Sequence, residues 1–273
     1  MDAQTFADWG VDYLKEDSCF SISGRKEALA QYRRMRDALN QTGRHIFFSL
    51  CGWHAWYAQS GRELGNSWRI GGDVGDFPSL YNAIRSSELL DQYAGPGGWN
   101  DPDMLVGSSP GASIQLTPTQ SRMQFSMWAI LAAPLLLGTR PSLMTSWDLE
   151  TYSNTDVISV SQDALGVQGS LLLSDCHQQG PHIRKKVPDC AQVWGRPLAD
   201  GNFALCMVNF GARPRDVVCN ADCLAKLQMT LGEEKRDSRS TRPGSARAGA
   251  AKVDRSLGLA FGMGFMARDL WSR

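Results

Sequence analysis

Val11-Asp12-Tyr13-Leu14-Lys15-Glu16-Asp17-Ser18-Cys19 reads as a short strand that ends in a cluster of ionisable side chains. Alternation along a strand puts Tyr13, Lys15 and Asp17 on one face. A lysine two residues before an aspartate is poor core material. At the C-terminal tip of a strand it suits an active site, because parallel α/β barrels place their chemistry at those tips. The competing reading is a solvated strand end with an incidental ion pair. The surrounding chain decides between them.

Downstream, residues 25–39 carry Leu29, Tyr32, Met35 and Leu39 at helical spacing, and Gly43 closes the helix. His45 to Leu50 is a second strand, followed by an aromatic loop from Trp53 to Tyr57. Trp68 to Asp73 is a third strand with its own acidic tip. A helix over Phe77–Leu90 leads to Gly97-Gly98 and a fourth strand, Trp99 to Val106, which carries Asp101 and Asp103. A helix from about Pro118 to Ala132 precedes a fifth strand, Leu135 to Gly138. Upstream, residues 2–9 read as a helix end with Phe6 and Trp9 on one face. Strand and helix alternate throughout, which predicts parallel strands joined by helical crossovers.

Past residue 165 the pattern changes. Residues 170–173, 191–198 and 203–210 read as strands, with Asp200-Gly201 as a hairpin signal between the last two. The organisation expected is an α/β unit over residues 1–165 and an antiparallel β domain over 166–273. Within the latter, residues 232–256 lack hydrophobic periodicity and read as a disordered insertion. Gly262-Met263-Gly264-Phe265-Met266-Ala267 formally matches a dinucleotide fingerprint, but no helix follows it, so the match is set aside.

The chain has 273 residues, 42% of them hydrophobic, and a formal net charge of zero. That composition supports a large core and gives no electrostatic pointer to nucleic acid or to an anionic membrane. No apolar run is long enough to span a bilayer. No signal peptide is visible: either the protein is cytosolic or its true N-terminus lies upstream. Seven cysteines leave at least one thiol without an intramolecular partner. Five of them follow residue 170, which points to disulfides there and to a secretory compartment. Cys219 and Cys223 could form half a zinc site, but no second ligand pair completes it, and no metal is expected. Asn40-Gln41-Thr42 is a glycosylation sequon.

The acidic tips are Asp17, Asp73, Asp101 and Asp103. Carboxylates converging from different strands suit glycoside hydrolysis, in which one carboxylate attacks the anomeric carbon and another protonates the leaving oxygen. Trp53, Trp56, Tyr57, Trp68 and Trp99 stand beside them in sequence, with faces suited to a sugar ring.

At these residues the sequence resembles glycoside hydrolase family 27, the α-galactosidases. The segments Asp2 to Asp12 with Lys15 to Cys19, Ala94 to Leu105, Trp128 to Leu135, Val157-Ile158 with Gln162-Asp163, and Arg268 to Trp271 carry the resemblance. It implies a retaining hydrolase of terminal α-galactosides, with Asp17 as nucleophile and Asp73 as general acid/base. Lys15, Arg69 and Asp103 resemble substrate contacts, and Gly52 and Trp53 lie in the segment that reads the sugar's 2-position. A (β/α)8 TIM barrel, a C-terminal antiparallel β domain and no cofactor are implied, as is a secreted, lysosomal or vacuolar location. The five strands would be the barrel's fourth to eighth, so a partial barrel is expected: an open sheet, an incomplete site and weak or no turnover. No oligomeric state is specified.

Three departures stand out. Glu16 replaces a residue that is usually aromatic, and alternation turns it toward the helix layer, where an unpaired charge is costly. Gly52 replaces a usual glutamate and, with Ala55, could leave room for a 2-acetamido group, so α-N-acetylgalactosaminidase is the alternative activity. A non-catalytic or impaired remnant is the alternative of a different class. Cys19 usually bonds a cysteine from the strands that precede this one.

Overall fold

The computed structural model describes residues 1–19, 24–111, 116–176, 186–227 and 268–271. Helix α1 (Asp2–Asp8) precedes β1 (Tyr13–Asp17), α2 (Arg25–Gln41), β2 (Phe47–Cys51), α3 (Ala58–Leu64), β3 (Ser67–Arg69), α4 (Phe77–Ser86) and β4 (Trp99–Asp101). The four strands form one parallel sheet in the order β1-β2-β3-β4, with β1 at its edge. The alternation predicted such parallel strands with helical crossovers, and the open sheet agrees with the partial barrel that the family resemblance implied, with four strands in place of five.

Strands β3 and β4 are shorter than their hydrophobic runs. After Arg69 the chain leaves the sheet through Gly71-Gly72, and β4 stops at Pro102, which has no N–H to give to a ladder. The fifth candidate, residues 135–138, is reduced to one parallel bridge between Leu105 and Leu137. Leu105 N donates to Leu136 O at 2.8 Å and Gly138 N to Leu105 O at 2.9 Å. Just upstream, Ala132 takes φ +49° and Pro134 removes a donor, so the extended stretch starts late.

The sheet's outer face is apolar. Phe48, Leu50, Trp68 and Ile70 pack with Tyr32 and Leu39 of α2 and Leu64 of α3 in one buried cluster. Tyr32 and Leu39 belong to the stripe read from the sequence; Leu29 and Met35 pack partly buried against the same cluster. The crossover helices use conventional caps. Asp76 and Ser79 form a capping box at α4, and Thr117 and Gln120 another at α5 (Pro118–Ile130).

Two short helices that hydrophobic pattern alone had not marked, α6 (Ser146–Tyr152) and α7 (Thr155–Ser161), pack on α5. An antiparallel sheet follows in the order β5-β6-β7, from β5 (Ser170–Ser174), β6 (Ala191–Pro197) and β7 (Phe203–Asn209). The Asp200-Gly201 signal is a turn, with Gly201 at φ +86° and Asn202 N donating to Asp200 Oδ1. Phe125 and Trp128 of α5 share a core with Trp194, Val208 and Phe210, so α5 joins the parallel half to the antiparallel sheet.

Cys176 bonds Cys190, and Cys219 bonds Cys223. The second bridge corrects the half-zinc-site reading, since disulfide sulfurs are not thiolate ligands. Cys19, Cys51 and Cys206 are free thiols. Burial pushes the Cys206 thiol up to about 12. Among the described residues, no helix is long and apolar enough to cross a membrane. The segment read as disordered, 232–256, and the glycine-rich match at 262–267 lie outside the described residues.

Candidate active site

Strand register builds the site. Lys15 faces Ser49, Ser49 faces Ser67 and Ser67 faces Trp99, which makes one inward row across the sheet. Two residues further toward the C-terminal ends, Asp17 pairs with Cys51 and Arg69 with Asp101. Arg69 Nη1 reaches the Cys51 sulfur at 3.7 Å, so these four form a second row. Alternation alone puts them together, because each is two residues past a member of the first row.

Arg69 is the hub. Only 3% of its side chain is exposed; Nη1 lies 3.0 Å from Asp103 Oδ1 and Nη2 lies 3.1 Å from Asp73 Oδ1. Nη2 also donates to Gly71 O at 3.2 Å, while Nε is buried without a hydrogen-bond partner among the described residues. Burial by itself would weaken the cation; Asp103 and Asp101 outweigh that and hold the guanidinium above its usual pKa.

Asp103 is clamped from four sides. Its Oδ2 accepts from Val74 N at 2.7 Å, its N–H donates to Asp101 Oδ1 at 2.8 Å, its carbonyl accepts from Trp128 Nε1 at 2.6 Å, and Oδ1 meets Arg69. Its φ is +97°, a region that L side chains seldom occupy. Such strain persists only where surrounding contacts over-determine it, and it gathers at functional sites. Trp53, at φ +61° and 40% exposed, is a second such residue beside the same pole.

The structure therefore gathers Asp17, Asp73, Lys15, Arg69, Asp103, Gly52 and Trp53 at one end of the sheet. Lys15 is half-buried, while Asp17 and Asp73 are exposed. Sequence reading counted Asp101 among the acidic strand tips but gave neither it nor Cys51 a role of its own. Cys51 lies in the field of Arg69, Lys15 and Asp17; burial raises its thiol above the usual range, against the pull of both cations, so it stays protonated. Asp101 is 2% exposed; burial raises its carboxyl, while Lys15, the Asp103 amide and Arg69 pull it down. Parity with Asp17 and Arg69 was the signal available for both.

The aromatic expectation needs correction. Trp68 is fully buried on the opposite, outer face, where Nε1 donates to Asn100 Oδ1 at 2.6 Å. Tyr57 is buried as well, and Trp56 stacks on it at 3.9 Å. Trp99 lies at the far, N-terminal end with Phe47, Pro96 and Leu135, around a cavity of about 440 Å³. Trp53, which directly follows Gly52, is the exposed tryptophan of this set. The room imagined at Gly52 is also occupied: a Cβ there would lie 1.9 Å from Tyr57 Cε2 and 2.0 Å from Cζ. Tyr57 therefore fills the space beside Gly52.

Comparison with known proteins gives a consistent picture. A family model described as α-galactosidase A matches residues 1–163. α-Galactosidase 3 of Arabidopsis thaliana is 39% identical over 86% of this chain and 51% of its own length. The α-galactosidase of Cyamopsis tetragonoloba is 41% identical over 77% of this chain and 47% of its own length. The crystal structure of the Saccharomyces cerevisiae α-galactosidase superposes with a TM-score of 0.65 at 29% identity, over 77% of this chain and 51% of that one. A structure of a Saccharomyces cerevisiae α-galactosidase with raffinose matches as well, with a TM-score of 0.64 at 27% identity. The chain spans about half the length of the curated relatives it matches.

Proposed function

This chain belongs to the α-galactosidase A family, glycoside hydrolase family 27, and on that premise we propose that the pole around Arg69 hydrolyses terminal α-D-galactosides with retention of configuration. Asp17 is the nucleophile that attacks the anomeric carbon. Asp73 protonates the departing glycosidic oxygen, then takes a proton from the water that releases the sugar. Lys15, Arg69 and Asp103 hold sugar hydroxyls, and the Gly52–Trp53 turn borders the 2-position. The observation that carries this reading is the Arg69 fork, which ties Asp73 and Asp103 to the row containing Asp17.

The Arg69 pairing suits the assignment chemically. A guanidinium 3.1 Å from Asp73 steadies its carboxylate after proton donation. Gly52 backed by Tyr57 favours a sugar with a 2-hydroxyl over its 2-acetamido analogue. Residues 1–165 form the catalytic unit and 166–273 an accessory β domain that shares the α5 core. The partner is an α-galactoside carbohydrate, and the two disulfides support a secreted, lysosomal or vacuolar setting.

Hydrolysis of an aryl α-galactoside tests the proposal. Turnover by this chain alone is expected to be weak, because β1 is an open sheet edge beside the nucleophile. Asp17→Asn should abolish it. Asp73→Ala should lose far more activity on an alkyl galactoside than on an aryl one with a good leaving group. Equal turnover in the wild type and Asp17→Asn would remove Asp17 from the reaction.

A further inference from the structure

Past Asp101 the fourth strand leaves the sheet, and one face of α5 takes over its backbone. Gln124 and Trp128 stand four residues apart on that helix, so they share a face. Both side chains are fully buried. Trp128 Nε1 donates to Asp103 O at 2.6 Å. Gln124 Nε2 donates to Met104 O at 3.0 Å, and Gln124 Oε1 accepts from Val106 N at 3.0 Å. A buried carboxamide is costly unless it is hydrogen-bonded. Here both of its ends bind the short segment that follows Asp103.

Asp103 adopts φ +97°, which an L residue keeps only where its surroundings enforce it. Its N–H is fixed by Asp101 Oδ1 at 2.8 Å and its carbonyl by Trp128, so both flanking peptide planes are set. With those planes set, the direction of the Cα–Cβ bond is set as well. That direction aims one carboxylate at two targets. Oδ1 meets Arg69 Nη1 at 3.0 Å, and Oδ2 accepts from Val74 N at 2.7 Å. Val74 directly follows Asp73, and Arg69 Nη2 holds Asp73 Oδ1 at 3.1 Å. A continuous series of contacts thus runs from the buried face of α5 to the exposed Asp73. The competing account is that Gln124 and Trp128 only satisfy backbone groups where the strand ends.

On the galactosidase reading of this pole, on which the chemistry rests, we propose that Gln124 and Trp128 are positioning residues for the acid/base. They hold Asp103 in its left-handed conformation, so that its carboxylate fixes Arg69 and the Val74 amide and, through both, the aim of Asp73. Neither touches the sugar. Trp128 acts here through its N–H, while its ring packs in the core shared with Trp194 and Val208.

Trp128→Phe keeps an aromatic ring and removes the N–H. Gln124→Met keeps the chain length and removes both polar ends. The readout is hydrogen exchange of single amides in the full chain, by mass spectrometry with electron-transfer fragmentation, and it needs no turnover. The Val74 amide reports the Asp103 carboxylate. The Asn66 amide, which donates to Phe48 O at 2.7 Å, reports the sheet at large. Each variant should speed Val74 exchange about tenfold and leave Asn66 at its wild-type rate. Asp103→Gly accepts the same backbone conformation without a carboxylate and should speed Val74 at least as much. Adding Trp128→Phe to it should change Val74 no further, because both act through that carboxylate. Val74 exchange at the wild-type rate in both single variants, or rising only in step with Asn66, overturns the proposal. Turnover distinguishes its failure from that of the galactosidase reading. Trp128→Phe should lose about tenfold more activity on an alkyl α-galactoside than on an aryl one, since the alkyl leaving group depends far more on the Asp73 proton. An equal loss on both substrates overturns the link to Asp73. Equal turnover in wild type and Asp17→Asn, with Val74 still responding, overturns the galactosidase reading alone.

Discussion

Two carboxylates, one at the edge of the parallel sheet and one beneath the α5–α6 corner, meet burial in opposite ways. Asp148 is fully buried, yet every approach to it is a donor: Ser108 N at 2.7 Å, Ser108 Oγ at 2.9 Å, Ser109 Oγ at 2.5 Å and Ser121 Oγ at 2.7 Å. Burial would raise its pKa, but the hydrogen bonds from Ser109, Ser121 and Ser108 together outweigh it, and the carboxyl ends below its usual range. Glu16, on β1, has a buried Oε2 with no hydrogen-bond partner among the described residues. Burial raises its pKa, and the charge of Arg34 only partly offsets this. One anion staples the loop after β4 to two helices. The other is held against the helix layer at a net cost. Depth is therefore not what decides whether a buried charge stabilises; the donors aimed at it are.

The largest effect expected from this contrast is at Asp148. Asp148→Ala removes the acceptor of three serine hydroxyls and a backbone amide, and should cost about 3 kcal/mol of unfolding free energy. Chemical denaturation measures it; a loss below about 1 kcal/mol would mean that these donors find water easily. The pH dependence sharpens the same point. A carboxyl with a depressed folded-state pKa contributes fully above its unfolded value and loses that contribution as pH falls through the folded one. Wild type should therefore lose stability on acidification below the ordinary aspartate range more steeply than Asp148→Asn.

Glu16 should behave in reverse and more weakly. Its folded-state pKa is raised, so the folded protein holds the proton more tightly. Its contribution to stability falls as pH rises from the ordinary glutamate value toward the folded one. Glu16→Leu removes the unsatisfied oxygen and adds apolar area against Tyr32, and should gain about 1 kcal/mol near neutral pH. The gain should shrink in acid, where Glu16 is neutral. A loss at both pH values would indicate a donor for Oε2 outside the described residues.

Much of this contrast, and of the site, was legible from the residues. The turn of Glu16 toward the helices follows from two-residue periodicity, and so does the inward row of Lys15 and Asp17. The α2 stripe and the Asp200-Gly201 turn were equally plain. The Asp148 staple was not, because its donors lie 27 to 40 residues away and their pattern has no local period. Trp68 was misassigned because its neighbour Arg69 points inward; one step along a strand reverses the face.

What the sequence determined by itself is therefore the set of local choices. It specified which stretches alternate strand with helix, which strand tips carry acids, and which face each side chain takes once its strand exists. Only the tertiary structure decided the rest. It reduced the fifth strand to the Leu105–Leu137 bridge, filled the Gly52 space with Tyr57, and gave Arg69 both Asp73 and Asp103. The reason is that periodicity is a property of neighbouring backbone dihedrals, whereas occupied space and paired charge depend on which distant segments arrive at the same point.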